Sequence, residues 1–550
     1  MYLTDTIENM KNIFLAFFAG VLLANAQNPN AFAVQVETDK GVIEGSYDTH
    51  TGVQTYLGVP FAQPPVGALR WKAPVEMQNW QGVKETKKFG PRPMQPLVFG
   101  DMKSRSAGVS EDCLYLNIWT TADRNTKNLP VLVYFYGGGN VAGDASEYRY
   151  DGESMSKKGI VVVTVNYRLN VFGYLAHPEL SEEASYKASG NYGLLDQLQA
   201  LKWVGRNIAQ FGGDPDNVTI AGESAGSISV SAQMASPLSK EFIDKAIGES
   251  GAAINPTMTP VTLDQAEKEG EKFLAQFEIN SIEELRSLST RAIYEMYKES
   301  GRFGFPMVVD GYFLPKSLND IFNEKSQAQI PLLLGWNSAE IPAQAMMQDQ
   351  ELTESNFNKT IEFLYPDEHR KVQKLYAPDK NDPRGVERMA TRLASDRFIV
   401  YSSYKWYDLH RKNSDQPIYR YLYAKHRPPL KNANLVAGFA GGTRERSEDD
   451  TVLTEPIGAP HACEIEYAMG NLHLVDDYQW TAEDYTVSET FQNYFANFIK
   501  TGDPNAEGMA NWPNANVKGN PEVMVINTRS AAETANSDKR FKFLDTQYDQ

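Results

Sequence analysis

Val218-Thr-Ile-Ala-Gly222-Glu223-Ser224-Ala225-Gly226 is the stretch whose reading decides the fold. A short apolar, β-prone run ends in Gly-x-Ser-x-Gly and passes into small residues suited to the first turn of a helix. In such an elbow the serine occupies a strained strand-to-helix turn, and the flanking glycines relieve crowding. The hydroxyl is then exposed at a helix N-terminus, where the N–H of Ala225 and the positive end of the helix dipole can stabilise an oxyanion. The five letters alone also occur as simple turns. The strand before them and the helix after them point to a nucleophilic Ser224.

The segments around this elbow repeat one α/β pattern. Val131–Tyr136, Ile160–Asn166 and Val218–Ala221 are apolar, β-rich runs that alternate with helical stretches such as Gly193–Phe211. Continuous Val/Ile runs are what strands buried on both faces require, so they predict a largely parallel sheet covered by helices. Further strands are expected at Ile330–Gly335 and Ile418–Ala424. The long polar and helical tracts 255–300 and 350–415 read as excursions above the sheet. No internal repeat, heptad run or low-complexity block interrupts the pattern.

Composition narrows the function classes. The chain has 550 residues, with 70 Asp and Glu against 53 Lys and Arg, for a formal charge of −17. That surface repels a phosphate backbone, so nucleic acid is not an expected partner. Two cysteines, Cys113 and Cys463, lie far apart and suggest neither a disulfide scaffold nor a zinc-ligand array. No metal or organic cofactor is expected.

Ile13–Ala24 is an apolar run preceded by Lys11 and followed by Ala24-Asn25-Ala26, which reads as a secretory signal with cleavage after Ala26. The run is too short for a stable membrane span, which needs about 20 apolar residues. Asp5 and Glu8 are unusual so close to such a run, and a start at Met10 gives the cleaner opening Met10-Lys11-Asn12. The expected organisation is a signal over 1–26 and one catalytic domain over 27–550, in a secreted or periplasmic protein.

An oxyanion hole needs a second donor. Tyr136-Gly137-Gly138-Gly139-Asn140 follows a predicted strand, and successive glycines let backbone N–H groups approach a ligand closely. Gly138 and Gly139, with Ala225, are the candidate donors.

These residues carry a resemblance to a family. Phe211–Gly226 resembles the active-serine signature of type-B carboxylesterases, the family that also contains the cholinesterases, and Glu111–Asn117 resembles its second signature. Tyr56–Ala62, Pro65–Trp71, Asn166–Arg168, Gly190–Gln197 and Thr501–Asn505 are similar to further family blocks, so the likeness runs over roughly residues 34–548. The resemblance implies an α/β-hydrolase fold, with a mostly parallel central sheet flanked by helices and large helical insertions over the active site.

It also orders the catalytic residues, because in that fold the acid and then the histidine follow the serine. His461, in Gly458-Ala-Pro-His-Ala-Cys-Glu464, is similar to the family's histidine loop. Glu340, in Ile330-Pro-Leu-Leu-Leu-Gly-Trp-Asn-Ser-Ala-Glu340, is the implied acid, although Ala339 and Ile341 depart from the family's acidic-then-glycine pattern around it. Asp310, in Val309-Asp-Gly311, is the alternative, with a plain reading as a turn aspartate. Ser250 resembles a family serine that supports the triad's geometry. Cys113 resembles a half-cystine, yet Pro93 stands where the upstream partner would be, which implies that the family disulfide is absent.

For the substrate pocket the resemblance points to the segment of Phe303 and Phe305, which shapes the acyl side; from their positions, Trp336 beside Glu340 is either a further wall or core, and Glu223 beside the serine either a source of negative potential or a structural hydrogen-bonding residue. The loop 93–113 contains no Trp to face a choline, so cholinesterase activity is disfavoured. The expected function is hydrolysis of small-molecule carboxylic esters through Ser224, His461 and Glu340 and an acyl-enzyme. The alternatives are amide or carbamate hydrolysis at the same site, or a non-catalytic adhesion or binding protein on the same fold. The residues do not specify the oligomeric state.

Overall fold

A computed structural model describes residues 31–123, 125–447, 450, 456–519 and 521–548. The expected signal over 1–26 lies outside the described residues. A 13-stranded sheet organises the chain. Its strands are β1 (Ala31–Glu37), β2 (Val42–Asp48), β3 (Val53–Pro60), β4 (Val83–Glu85), β5 (Tyr115–Thr120), β6 (Leu129–Phe135), β7 (Val161–Val165), β8 (Gly213–Glu223), β9 (Lys245–Glu249), β10 (Leu332–Asn337), β11 (Ile418–Tyr423), β12 (Glu522–Ile526) and β13 (Ala531–Thr534). The spatial order is β1-β2-β3-β5-β7-β6-β8-β9-β10-β11-β12-β13, with β4 beside β2.

From β7 through β12 every neighbouring pair is parallel. The two margins are antiparallel, β1-β2-β3-β5-β7 on one side and β12-β13 on the other. The division follows from burial. β7, β9 and β10 are buried at every position, whereas marginal β2 and β13 keep partly or fully exposed residues.

Helices cover the sheet. α1 (Tyr192–Asn207) continues into a 3₁₀ turn at Ile208–Phe211, matching the expected helix. α2 (Ala225–Ala235) packs on β8 and β9 and is buried along its whole length. It therefore reads as apolar or small on all sides, and its buried hydroxyls need partners. Ser227 Oγ donates to the Gly251 carbonyl at 2.6 Å and Ser231 Oγ to the Ile228 carbonyl at 2.7 Å.

The two long excursions are helical. The first holds α3 (Leu263–Gln276) and α4 (Thr290–Glu299), and the second includes α5 (Gly385–Ser395) and α6 (Tyr401–Asn413), joined by a π-helical turn at Asp396–Val400. Several motif blocks that are distant in sequence meet as buried ion pairs. Arg70 grips Glu111 through its Nε and, at 2.7 Å, its Nη2, and Arg168 grips Asp196 at 2.8 and 2.7 Å. Two-pronged pairing matches the guanidinium fork to the carboxylate and fixes the relative position of the two blocks. Among the described residues no helix is long and apolar enough to cross a membrane.

Candidate active site

Ser224 sits between β8 and α2 with φ 54° and ψ −121°. For a non-glycine residue this backbone costs about 1–3 kcal/mol, so surrounding structure must hold it. The Ser224 N–H donates to the Glu249 carbonyl on β9 at 2.8 Å, and its own carbonyl accepts from Ile228 at 2.9 Å. The flanking glycines are required by close approach. A Cβ on Gly222 would lie 2.6 Å from the Phe135 carbonyl oxygen and from the carbonyl carbon of Gly226. One on Gly226 would press on the same Phe135 oxygen and lie 3.0 Å from that of Tyr136. β6, β8 and α2 thus meet where there is no room for a side chain.

His461 Nε2 lies 2.9 Å from Ser224 Oγ, and its Nδ1 lies 2.6 Å from Glu340 Oε2. With Nδ1–H donating to the carboxylate, Nε2 is the acceptor for the serine hydroxyl. Glu340 Oε1 accepts from the Asn337 N–H at 2.6 Å and from Ser250 Oγ at 2.6 Å. Ser250 therefore stands behind the acid, a specific position that its likeness to a family serine near the triad did not give. Asp310 accepts from the Tyr312 and Leu314 N–H groups and from Asn191 Nδ2, which makes it a turn-closing residue.

The loops carrying the acid and the histidine are tied together by groups that sequence reasoning did not single out. Asn337 Nδ2 donates to the Pro460 carbonyl at 3.0 Å and to Glu464 at 2.5 Å. Ser338 Oγ accepts from the Ala459 N–H at 2.9 Å, and the Ala339 N–H donates to the Ala459 carbonyl at 2.9 Å. Glu464 had a weak signal, as an acid three residues after the candidate histidine. Asn337 and Ser338 had only their place between a predicted strand and the candidate acid.

A cavity of about 600 Å³, counting its open mouth, includes Gly138, Gly139, Glu223, Ser224, Phe303 and His461 in its lining. Gly138 and Gly139 have φ of 111° and 65°, a region that favours glycine. A Cβ on Gly139 would lie 3.0 Å from the Phe303 ring, so that ring packs on the loop beside the serine. Ala225 opens α2 next to Ser224, and Gly138 and Gly139 line the cavity together with that serine.

Two expected wall residues are elsewhere. Phe305 is buried edge-on against Phe273 of α3, with ring centroids 5.4 Å apart, so it belongs to the core beneath the first excursion. Trp336, on fully buried β10, packs edge-on against Phe541 and lines a separate cavity. An aromatic next to a glycine or a catalytic loop gives no directional information, and here core packing decides both orientations. Aromatics not foreseen at the cavity are Phe99, Tyr150, Phe398 and Phe439.

Electrostatics concentrate on the histidine. Burial alone would lower the His461 pKa, but the Glu223 charge and the Glu340 hydrogen bond outweigh it and hold the imidazole above its ordinary value. Glu223 Oε1 lies 3.2 Å from Nε2. Burial pushes Glu223 itself up to about 7, against the attraction of His461. Burial also raises Glu249 to about 8 and Glu464 well above the carboxylate range. Cys113 and Cys463 are free and buried. Among the described residues no group of three or more His, Cys, Asp or Glu is arranged to hold a metal ion.

This geometry can deprotonate a serine next to backbone donors, and comparison with known proteins gives the class. The model of the carboxylesterase family matches residues 33–544. A medium-chain fatty acyl-CoA hydrolase precursor of Anas platyrhynchos is 31% identical over 537 residues, covering 92% of this chain and 91% of that protein. A fumonisin B1 esterase of Sphingopyxis macrogoltabida is 40% identical over 311 residues, 55% of each chain. A solved PNB esterase superposes with a TM-score of 0.75 at 28% identity, covering 92% of this chain and 99% of its own. A carboxylesterase from Geobacillus stearothermophilus gives 0.74 at 28%, with the same coverage. The chain belongs to the carboxylesterase family and is a carboxylic ester hydrolase of the α/β-hydrolase fold.

Proposed function

We propose that the protein is an exported serine carboxylesterase that works through Ser224, His461 and Glu340. The observation that carries this reading is the unbroken chain from Ser224 Oγ to His461 Nε2 at 2.9 Å and from Nδ1 to Glu340 at 2.6 Å. Ser224 Oγ attacks the ester carbonyl as its proton passes to Nε2. The N–H groups of Gly138, Gly139 and Ala225 hold the resulting oxyanion. The tetrahedral centre then expels the alcohol, which takes the proton from Nε2. Water, deprotonated by His461, releases the acid from the acyl-enzyme by the same route in reverse. Glu340 keeps the proton on Nδ1 and stabilises the imidazolium formed in each half.

The Ile13–Ala24 run supports export after cleavage at Ala26, and motif blocks spread over most of the remaining chain support one catalytic domain over 27–550. Turnover of p-nitrophenyl esters of graded chain length, lost in Ser224→Ala, is the expected result. Matched amides should turn over much more slowly. Wild-type protein without ester turnover, or a fully active Ser224→Ala, contradicts the catalytic reading. N-terminal sequencing of the exported protein should begin at Gln27.

A further inference from the structure

Gly138 and Gly139, the oxyanion donors of the proposed mechanism, lie in a turn rich in the residue with the freest backbone. Four of the seven residues from 137 to 143 are glycines, so the turn needs restraint from outside itself. The Gly138 carbonyl accepts from the Val141 and Ala142 N–H groups, both at 3.1 Å, which closes a single tight turn. The chain then folds back onto its own start. A Cβ on Gly143 would press on the Tyr136 ring and lie 2.5 Å from the Gly137 carbonyl oxygen. Whatever fixes Gly143 therefore also fixes the entry to Gly138.

Gln95 is that restraint. The Gly143 N–H donates to Gln95 Oε1 at 2.9 Å, and Gln95 Nε2 donates back to the Gly143 carbonyl at 2.7 Å. Nε2 also donates to the Pro93 carbonyl at 3.1 Å. The carboxamide has one working orientation, because a flip would set its oxygen against two carbonyls. Gln95 is itself held, since the Tyr294 hydroxyl on α4 donates to its carbonyl at 3.2 Å. Beside it, Asn170 Nδ2 donates to the Met94 carbonyl at 2.7 Å, and the Asn170 N–H donates to the Asn140 carbonyl at 2.7 Å. Two carboxamides thus tie Met94 and Gln95 to the middle and the exit of the glycine turn.

We propose that Gln95 is a positioning residue for ester hydrolysis, which through Gly143 aims the Gly138 and Gly139 N–H groups at the developing oxyanion. Gln95 and Gly143 line a different cavity from the one that holds Ser224 and His461, so the carboxamide acts through the main chain and not on the substrate. Donors fixed beforehand stabilise charge without having to move as it develops, and a misplacement of ~1 Å can cost about 10²-fold in rate. Binding of the intact ester, whose carbonyl oxygen carries little charge, depends far less on these donors.

The inference rests on the serine-esterase reading, and one experiment separates the two. The probes are an alkyl trifluoromethyl ketone and the methyl ketone with the same alkyl chain. Ser224 Oγ adds to the carbonyl carbon of the first, its proton passing to His461 and the carbonyl electron pair becoming an oxyanion, whereas the second binds without adding. Gln95→Met keeps the length of the side chain and removes the three hydrogen bonds of its carboxamide. It should lower kcat/KM for p-nitrophenyl butyrate by about 10²-fold and raise Ki for the trifluoromethyl ketone by about the same factor, with Ki for the methyl ketone within about twofold of wild type. Gln95→Glu, which keeps the shape but sets an oxygen against the Gly143 carbonyl, should give the same pattern and does not depend on methionine being accommodated. Affinities for the two ketones that weaken together, or an unchanged kcat/KM, overturn the positioning role and leave the esterase reading standing. A wild type that hydrolyses no ester and binds the two ketones equally overturns the serine-esterase reading, and this inference with it.

Discussion

Ser224 and His461 are 2.9 Å apart, yet the two are held in place by different means. The serine elbow is fixed by backbone: β6, β8 and α2 approach so closely that Gly222 and Gly226 have no space for a Cβ, and main-chain bonds secure the strained φ. The histidine loop is fixed by side chains, through Glu340, Asn337 and Ser338. Steric exclusion specifies residue types at set spacings. A hydrogen-bond network can be built by many residue types from several elements. The first kind of site is therefore readable in a sequence as a motif, and the second becomes visible only in the fold.

Substitutions can break each side of this contrast separately. The largest effect should come from Ser224→Ala, which removes the proposed nucleophile and leaves the elbow intact. It should lower kcat by roughly 10⁵-fold or more, with no loss of thermal stability. Glu340→Gln should lower kcat by about 10⁴-fold, because an amide can donate to Nδ1 and stabilise the wrong tautomer. Gly226→Ala acts oppositely to Ser224→Ala, since it keeps the nucleophile and crowds the Phe135 carbonyl oxygen. It should destabilise the protein by about 3 kcal/mol, read from the denaturant midpoint.

On the histidine side, Asn337→Ala removes the bonds to Pro460 and Glu464. A loss of about tenfold in kcat is expected, with a smaller effect on stability than that of Gly226→Ala. Glu223→Gln should have the smallest effect at neutral pH and the clearest in a pH profile. A carboxylate beside Nε2 favours the imidazolium, so the neutral, active histidine appears only above the ordinary histidine range. Removing that charge should move the ascending limb of kcat/KM toward acid. A limb that stays in place would mean that Glu223 does not set the basicity of His461.

The same distinction accounts for what was legible beforehand. The parallel centre of the sheet could be read because strands buried on both faces are continuous apolar runs: Val131–Tyr136, Ile160–Asn166, Ile330–Gly335 and Ile418–Ala424 correspond to β6, β7, β10 and β11 within about two residues at each end. β9, Lys245-Ala-Ile-Gly-Glu249, was not foreseen, since five residues with a charge at each end show little of that pattern. The antiparallel margin of β1, β2 and β3 was missed as strands for a related reason, because one-sided burial mixes polar and apolar positions.

At the site, Ser224, the glycine loop, Glu340 and His461 carried motif signals, and the fold brings them together at one cavity or one hydrogen-bond chain. Phe398 and Phe439 carried none, because an aromatic's direction depends on the turn that presents it. Phe305 and Trp336 show the converse, with aromatic identity and proximity in sequence but core contacts in the fold.

The central claim is that Ser224 becomes acylated during ester hydrolysis. An acid quench during turnover of p-nitrophenyl acetate, followed by peptide mass mapping, tests it directly. The account predicts one acetyl group per chain on the peptide containing Ser224, and none in Ser224→Ala. Steady turnover with the acetyl group on another residue, or turnover undiminished in Ser224→Ala, would contradict it.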